Sequence, residues 1–132
     1  MTSPFPISIL PSRVFLLAFG LCVAYANAIA APVPVCKARP DLVGACYVVH
    51  GRAAYSNGTP ALRIWIVGTK RMLGVTSNST ADDADEPVVP EQLKFDPSEK
   101  AFGDFEVCPF TPQRSGAMQM VCVASVKNFS LR

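Results

Sequence analysis

Residues 46–75 read CYVVHGRAAYSNGTPALRIWIVGTKRMLGV, and this stretch decides the fold class. Val, Ile, Tyr, Trp and Thr are frequent in it, and the spacing of its apolar residues fits strands better than helices. Asn57-Gly58 is a strong signal for a two-residue hairpin turn, because both residues tolerate a positive φ. Residues 68–71, GTKR, predict a second turn. The stretch therefore predicts β-strands joined by two turns.

The Asn57-Gly58 turn also predicts which residues face each other across the hairpin. A two-residue loop sets His50 opposite Trp65 and Arg52 opposite Arg63, on one side of the ribbon. The other side is then wholly apolar and consists of Val49, Gly51, Ala53, Leu62, Ile64 and Ile66. Turn chemistry and hydrophobic pattern thus agree on one register. Pro60 cannot donate to a ladder, so this register requires it to lie outward or at a strand end.

The remainder of the chain continues the strand pattern after a long interruption. Residues 76–100 are polar, acidic and rich in Pro, which predicts a long loop with one short strand near residues 93–95. Two further segments, AFGDFEVCPF and AMQMVCVASV, return to strand patterns. We expect a single all-β domain over residues 46–132, built as a small β-sandwich or partly open barrel of five to seven short strands, with no helix after the N-terminal leader.

The first thirty residues predict a signal peptide. Arg13 precedes an apolar run of about a dozen residues, which is short for a membrane-spanning helix. Small residues follow, and cleavage is expected after Ala30; an uncleaved anchor is the alternative. Residues 31–45 then form a Pro-rich arm. The prediction is an exported protein, periplasmic or secreted, with no membrane span after the leader is removed.

Four cysteines remain after the leader, an even number that predicts two disulfides in an exported chain. Four cysteines allow three pairings. Cys108 and Cys122 flank a turn-like stretch and would face each other in a hairpin, so we expect them to pair, leaving Cys36 with Cys46. A zinc site at Cys46 and His50 with Cys108 and Cys122 is not expected, because residues four apart on a strand lie about 13 Å from each other and the exported context favours disulfides.

The predicted ligand-binding residues are His50, Arg52, Arg63 and Trp65. Like charges directly opposite each other on a sheet have an unfavourable interaction energy. A carboxylate or phosphate held between the two guanidinium groups would make the arrangement favourable. The alternative is that both arginines are solvated or pair with the acidic segment 82–91. An anionic small molecule, a glycan or an envelope protein are the partners that this side of the hairpin would suit.

Composition narrows the remaining function classes. The formal net charge is +2, and loss of Arg13 with the leader lowers it by one. This nearly neutral balance, without a basic stripe in the sequence, argues against nucleic acid as a partner. Phosphate-binding glycine motifs and a Gly-x-Ser-x-Gly elbow are absent from the sequence. We therefore expect a binding module with no cofactor and no metal, and not an enzyme. A structural envelope component is the first alternative, and a hydrolase that uses His50 is the second.

Three blocks carry a resemblance to known proteins: VHGRAAYSNGTPALRIWIVGTKRMLGV, FGDFEVCPF and MQMVCVAS. Together they resemble a group of small exported bacterial proteins of uncharacterised function, which implies a bacterial origin and transfers no catalytic residues. The NGxP hairpin followed by FGDFEV is more loosely similar to transthyretin-like and carboxypeptidase-regulatory-like β-sandwiches. That similarity implies a binding or anchoring role.

Overall fold

The computed structural model describes residues 35–77 and 87–132, which belong to one compact unit that spans residues 31–132. The described ranges form five strands: β1 (Tyr47–Tyr55), β2 (Leu62–Ile66), β3 (Met72–Val75), β4 (Ala101–Pro109) and β5 (Gln119–Leu131). A short 3₁₀ helix, η1 (Glu91–Leu93), lies between β3 and β4. The predicted signal peptide and the most acidic part of the 76–100 loop, residues 78–86, lie outside the described residues. In the described ranges, no helix has the length and apolar character needed to span a bilayer.

The five strands close into a barrel in the order β1-β2-β3-β5-β4, with β4 returning to pair with β1. All neighbours are antiparallel except β3 and β5, which run parallel. A five-stranded barrel with this order and this single parallel pair has the topology of the OB-fold. The all-β prediction is confirmed. Of the two predicted architectures the barrel is the one observed, and it is closed.

Apolar side chains at every second position of the strands fill the barrel interior. Ala53, Ile64, Leu73, Phe105 and Val121 are each fully buried, and each projects inward from a different strand. The next residue along each strand points outward, as the two-residue period of a strand requires. The predicted apolar side of the β1–β2 hairpin is therefore the side that faces the core.

One end of the barrel is closed by η1, where the sequence predicted a short strand near residues 93–95. Pro90 and Pro97 flank this segment, and neither can donate to a ladder. The chain instead turns, with Leu93 N donating to Pro90 O at 2.9 Å. Leu93 is fully buried, and its carbonyl accepts a hydrogen bond from Tyr55 Oη at 3.0 Å. The strand prediction was wrong because the flanking prolines cannot donate to a ladder. Leu93 and Phe95 pack against the barrel core instead.

The β1–β2 register differs by two residues from the predicted one. Ala53 pairs with Ile64, and Arg52 pairs with Trp65 where the two-residue turn predicted Arg63. The loop is longer than two residues, because Ser56 N donates to Ala61 O at 2.8 Å and β2 begins beyond Pro60. Pro60 has no N–H for the ladder, which accounts for the longer loop. A shift of two preserves the faces, so the inward and outward sides were predicted correctly while the partners were not.

The predicted disulfide pairing is also wrong, although all four cysteines form disulfides. Cys108 and Cys122 face each other on β4 and β5 as predicted, yet the bonds join Cys36 to Cys122 and Cys46 to Cys108. The arm folds back over the outer side of these strands, where Val43 N donates to Pro109 O at 2.9 Å. It brings its own cysteine to this surface, and that long-range contact cannot be derived from cysteine spacing.

Candidate functional site: a polar-aromatic face on the barrel

Three of the four predicted ligand-binding residues come together on the outer side of the barrel. His50 and Arg52 project from β1 and Trp65 from β2, and Arg52 is directly paired with Trp65. Strand β4 flanks β1 on its other edge and sets Asp104 opposite His50 and Phe102 opposite Arg52. We call His50, Arg52, Trp65, Phe102 and Asp104 the polar-aromatic face. It spans three neighbouring strands, so the barrel wall fixes its backbone positions.

Arg52 stacks on Trp65 at the centre of this face. Its guanidinium carbon lies 4.4 Å from the centroid of the indole ring, a cation–π contact. The indole is itself held, because Trp65 Nε1 donates to Thr69 O at 2.6 Å. Arg52 Nε is buried and has no hydrogen-bond partner among the described residues. The face therefore presents a cation whose orientation is set by stacking.

His50 and Asp104 form the polar edge of the face. His50 Nδ1 lies 2.8 Å from Asp104 Oδ1, while Asn128 Nδ2 donates to Asp104 Oδ2 at 2.6 Å. The hydrogen bond from Asn128, followed by that from His50, lowers the pKa of Asp104. The imidazole side chain is 63% exposed to solvent. Both carboxylate oxygens of Asp104 are thus engaged by neighbours on the same wall.

Asn128 reaches Asp104 because of a local irregularity in β5. The β4–β5 register shifts between Phe102 and Asp104, and Asn128 has a φ of 51°. Asn tolerates this left-handed conformation better than most residues. A bulge of this kind turns a side chain away from its regular direction.

Arg63 does not lie opposite Arg52, as the predicted anion-binding pair of arginines requires. It faces Ala54 across the ladder, and its guanidinium donates to Pro60 O at 3.0 Å and to Asn57 O at 3.3 Å. The expected pair of opposed arginines is therefore wrong, for the same reason as the register. The observed bonds tie Arg63 to the β1–β2 loop.

Sequence reasoning missed Phe102 and Asp104, together with Arg132, whose guanidinium carbon lies 5.2 Å from the Phe102 ring centroid. The alternation in AFGDFEV, with Phe102, Asp104 and Glu106 at every second position, was a usable signal for an outward row. The sequence alone could not show that β4 pairs with β1, because more than forty residues separate the two strands.

One cysteine of the arm and two of the barrel wall lie close together, but they are not free to bind a metal. The sulfurs of Cys36, Cys108 and Cys122 lie within 4.8 Å of one another, which resembles a ligand cluster by distance. Each of these sulfurs is bonded in a disulfide, and a metal ligand must be a free thiolate. Their proximity follows from the two bonds that converge at one point of the barrel wall.

Two disulfides in a chain of this size are typical of proteins from oxidising compartments outside the cytoplasm. Comparison with family models, with curated proteins and with solved structures finds no match to this chain.

Proposed function

We propose that the protein is an exported binding module that holds an anionic ligand on the polar-aromatic face, with Arg52 as the principal contact. The observation that carries this proposal is the stacking of Arg52 on Trp65, 4.4 Å from the ring centroid, with no salt-bridge partner among the described residues. A guanidinium in this setting has lost part of its freedom before any ligand arrives. Binding then costs less conformational entropy.

The chemistry of the face favours an anion over a neutral sugar. Guanidinium groups recognise carboxylate and phosphate through two parallel hydrogen bonds, and a stacked Arg keeps that fork in a fixed plane. Asp104, the carboxylate on the same face, already accepts hydrogen bonds from His50 and Asn128. It is therefore a weak competitor for Arg52. Arg52 also covers part of the Trp65 ring, which reduces the surface on which a glycan could stack.

His50 supplies the second contact in this proposal. Asp104 fixes the orientation of the imidazole through Nδ1, and Nε2 has no hydrogen-bond partner among the described residues. His50 and Arg52 share one side of β1, two residues apart, so one small ligand can reach both. A ligand with an anionic group and an adjacent hydrogen-bonding group matches this pair.

The proposed location is the bacterial periplasm or the medium. The disulfides, the leader-like residues 1–30 and the resemblance to small exported bacterial proteins support it. An anionic envelope component or an anionic metabolite would be available in either place.

The test is a thermal-shift screen of the oxidised protein against acetate, lactate, phosphate and glucuronate, each of which carries a single anionic group. A ligand present at 100 times its dissociation constant adds about 2.7 kcal/mol of stability, which raises the melting temperature by several degrees. Arg52→Ala should abolish the shift. Arg52→Lys, which keeps the charge but loses the planar fork, should reduce it strongly.

Arg63→Ala is the matched control, because it removes the same charge from a guanidinium that is bound to the β1–β2 loop. Its shift should equal that of the wild type when each is measured against its own ligand-free melting temperature. The absence of any shift, or a shift that Arg52→Ala retains, contradicts the proposal.

A further inference from the structure

A second candidate site lies at the end of the barrel where β1 begins. Here the β2–β3 turn and the β4–β5 loop enclose a cleft of about 720 Å³. Its cationic lining residues are Lys70 and Arg71 from the turn and Arg114 from the loop, while Gln119 lines it from the start of β5. The cleft and Leu93 lie at opposite ends of β1. Tyr47, at the start of this strand, bonds to Gln119 of the cleft, and Tyr55, at its end, bonds to the carbonyl of Leu93.

The cleft carries positive charge that the described residues do not compensate. None of the Asp and Glu side chains in the described ranges lines it. Over residues 35–77 and 87–132, the salt bridges of the structure involve none of Lys70, Arg71 and Arg114. Lys70 and Arg114 are exposed to solvent, so these three like charges repel one another across a largely aqueous medium and the repulsion is modest. A bound anion would remove that repulsion and gain a charge-assisted contact with each group.

Arg71 is held in place by a polar network inside the barrel mouth. Gln119 is only 7% exposed, and its Oε1 accepts from Tyr47 Oη at 2.7 Å and from Arg71 Nη2 at 3.2 Å. Its Nε2 donates to Thr111 O at 2.9 Å, so the amide orientation is fixed from both ends. Arg71 uses one N–H in this network and keeps further donors of its five for the cleft. The floor of the cleft is thus organised before a ligand binds.

The outer side of β3 beside the cleft is already covered by the chain itself. A Cβ placed on Gly74 would lie 2.6 Å from Pro60 Cγ and 2.8 Å from the sulfur atoms of Met118 and Met120. Extended polymers commonly bind OB-fold barrels across strands 2 and 3. Here Pro60 and the two methionines occupy part of that surface, which leaves the cleft as a compact concavity suited to a small ligand.

We propose that the cleft at this end of the barrel binds a small multivalent anion that carries two or more carboxylate or phosphate groups. Arg71 contacts it from the floor, and Lys70 and Arg114 contact it from the turn and from the loop. The cleft shares no lining residue with the polar-aromatic face, although Met72 at its edge pairs with Trp65. The proposal does not depend on the function proposed for that face.

Isothermal titration of the full oxidised chain with citrate and with pyrophosphate tests this proposal. Binding of citrate assigns the site to polycarboxylates, binding of pyrophosphate to polyphosphates, and binding of both to multivalent anions in general. Arg114→Glu and Lys70→Glu should each weaken binding by about tenfold or more, since each removes a charge-assisted contact and adds a repulsive charge.

Two controls separate this site from its alternatives. Lys100→Glu makes the same charge change at the start of β4, at the opposite end of the barrel, and should leave the affinity within about twofold. Arg52→Ala, which removes the principal contact of the polar-aromatic face, should leave it unchanged. The proposal is overturned if neither probe binds, if Arg114→Glu and Lys70→Glu bind as the wild type does, or if Arg52→Ala abolishes binding.

Discussion

Strand β4 contributes to two outer surfaces of the barrel that differ in what covers them. Near its start, Phe102 and Asp104 belong to the polar-aromatic face, which is open. Near its end, Cys108 and Phe110 lie beneath the N-terminal arm together with Cys122, and this second surface is called the arm-covered face. Phe110 is 3% exposed, whereas Trp65 on the open side is 38% exposed.

The difference between the two surfaces follows from side-chain chemistry. Outward apolar residues on β4 and β5 would leave a patch exposed to water, and the arm buries it with Cys36 and Leu42. Lys37 also pairs with Glu106 at 2.6 Å, and Arg39 lies over the Phe110 ring at 5.6 Å. The open face has polar groups that water can solvate. We therefore expect the arm-covered face to govern stability and the polar-aromatic face to govern binding.

The largest expected effect comes from removing the Cys36–Cys122 disulfide by replacing both residues with Ala. With Cys46–Cys108 intact, the shortest covalent path from residue 36 to residue 122 runs through that disulfide and is about 25 residues long. Opening a ring of this size lowers the free energy of unfolding by about 3.5 kcal/mol. Removal of Cys46–Cys108 opens the same covalent ring and should cost a similar amount, even though the sequence separations are 86 and 62. Denaturant unfolding of both variants measures this. A loss below about 1 kcal/mol would mean that the arm does not anchor the barrel.

A smaller effect is expected from Trp65→Ala on the open face. The variant loses the cation–π contact with Arg52 and the hydrogen bond to Thr69, which together account for about 1–2 kcal/mol. Trp65→Phe keeps an aromatic ring and should recover about half of the loss. Thermal unfolding compares the two variants with the wild type. A destabilisation as large as that of the disulfide variants would break the division between a stabilising surface and a binding surface.

The smallest expected effect is the pH dependence of the two outward carboxylates of β4. The pKa of Glu106 is lowered by hydrogen bonds from Lys37 and then Ser125, and that of Asp104 by hydrogen bonds from Asn128 and then His50. A carboxyl whose pKa is lower in the folded state stabilises the fold above its ordinary value, here 4.5 and 3.8, and this contribution disappears as the pH falls through the lowered value.

Unfolding midpoints measured from pH 6 to pH 2 test that sign. Glu106→Gln and Asp104→Asn should each flatten the decline, the first through the arm-covered face and the second through the open face. Both groups are solvent-facing, so the change should be smaller than for Trp65→Ala. A decline that neither substitution alters would show that other carboxyls determine the acid sensitivity.

The candidate site shows which predictions local sequence could support. His50, Arg52 and Trp65 share an outward face as predicted, because side chains alternate with a period of two whichever residues pair. The partners of Arg52 and His50 were not predictable from the same pattern. A loop longer by a few residues moved Trp65 opposite Arg52, and β4 supplied Asp104 from a distant part of the chain.

The sequence by itself determined the all-β class, the inward and outward sides of β1 and β2, and the participation of four cysteines in disulfides. The first two depend on short-range alternation of apolar and polar residues, and the third on the even number of cysteines after the leader. Only the tertiary structure decided the closure of the barrel, the disulfide pairing, the partners of Arg52 and the basic cleft at the barrel end. These features depend on which distant segments meet. The physical reason is that contacts between residues far apart in the chain are selected by burial of the whole core, and no local pattern encodes that selection.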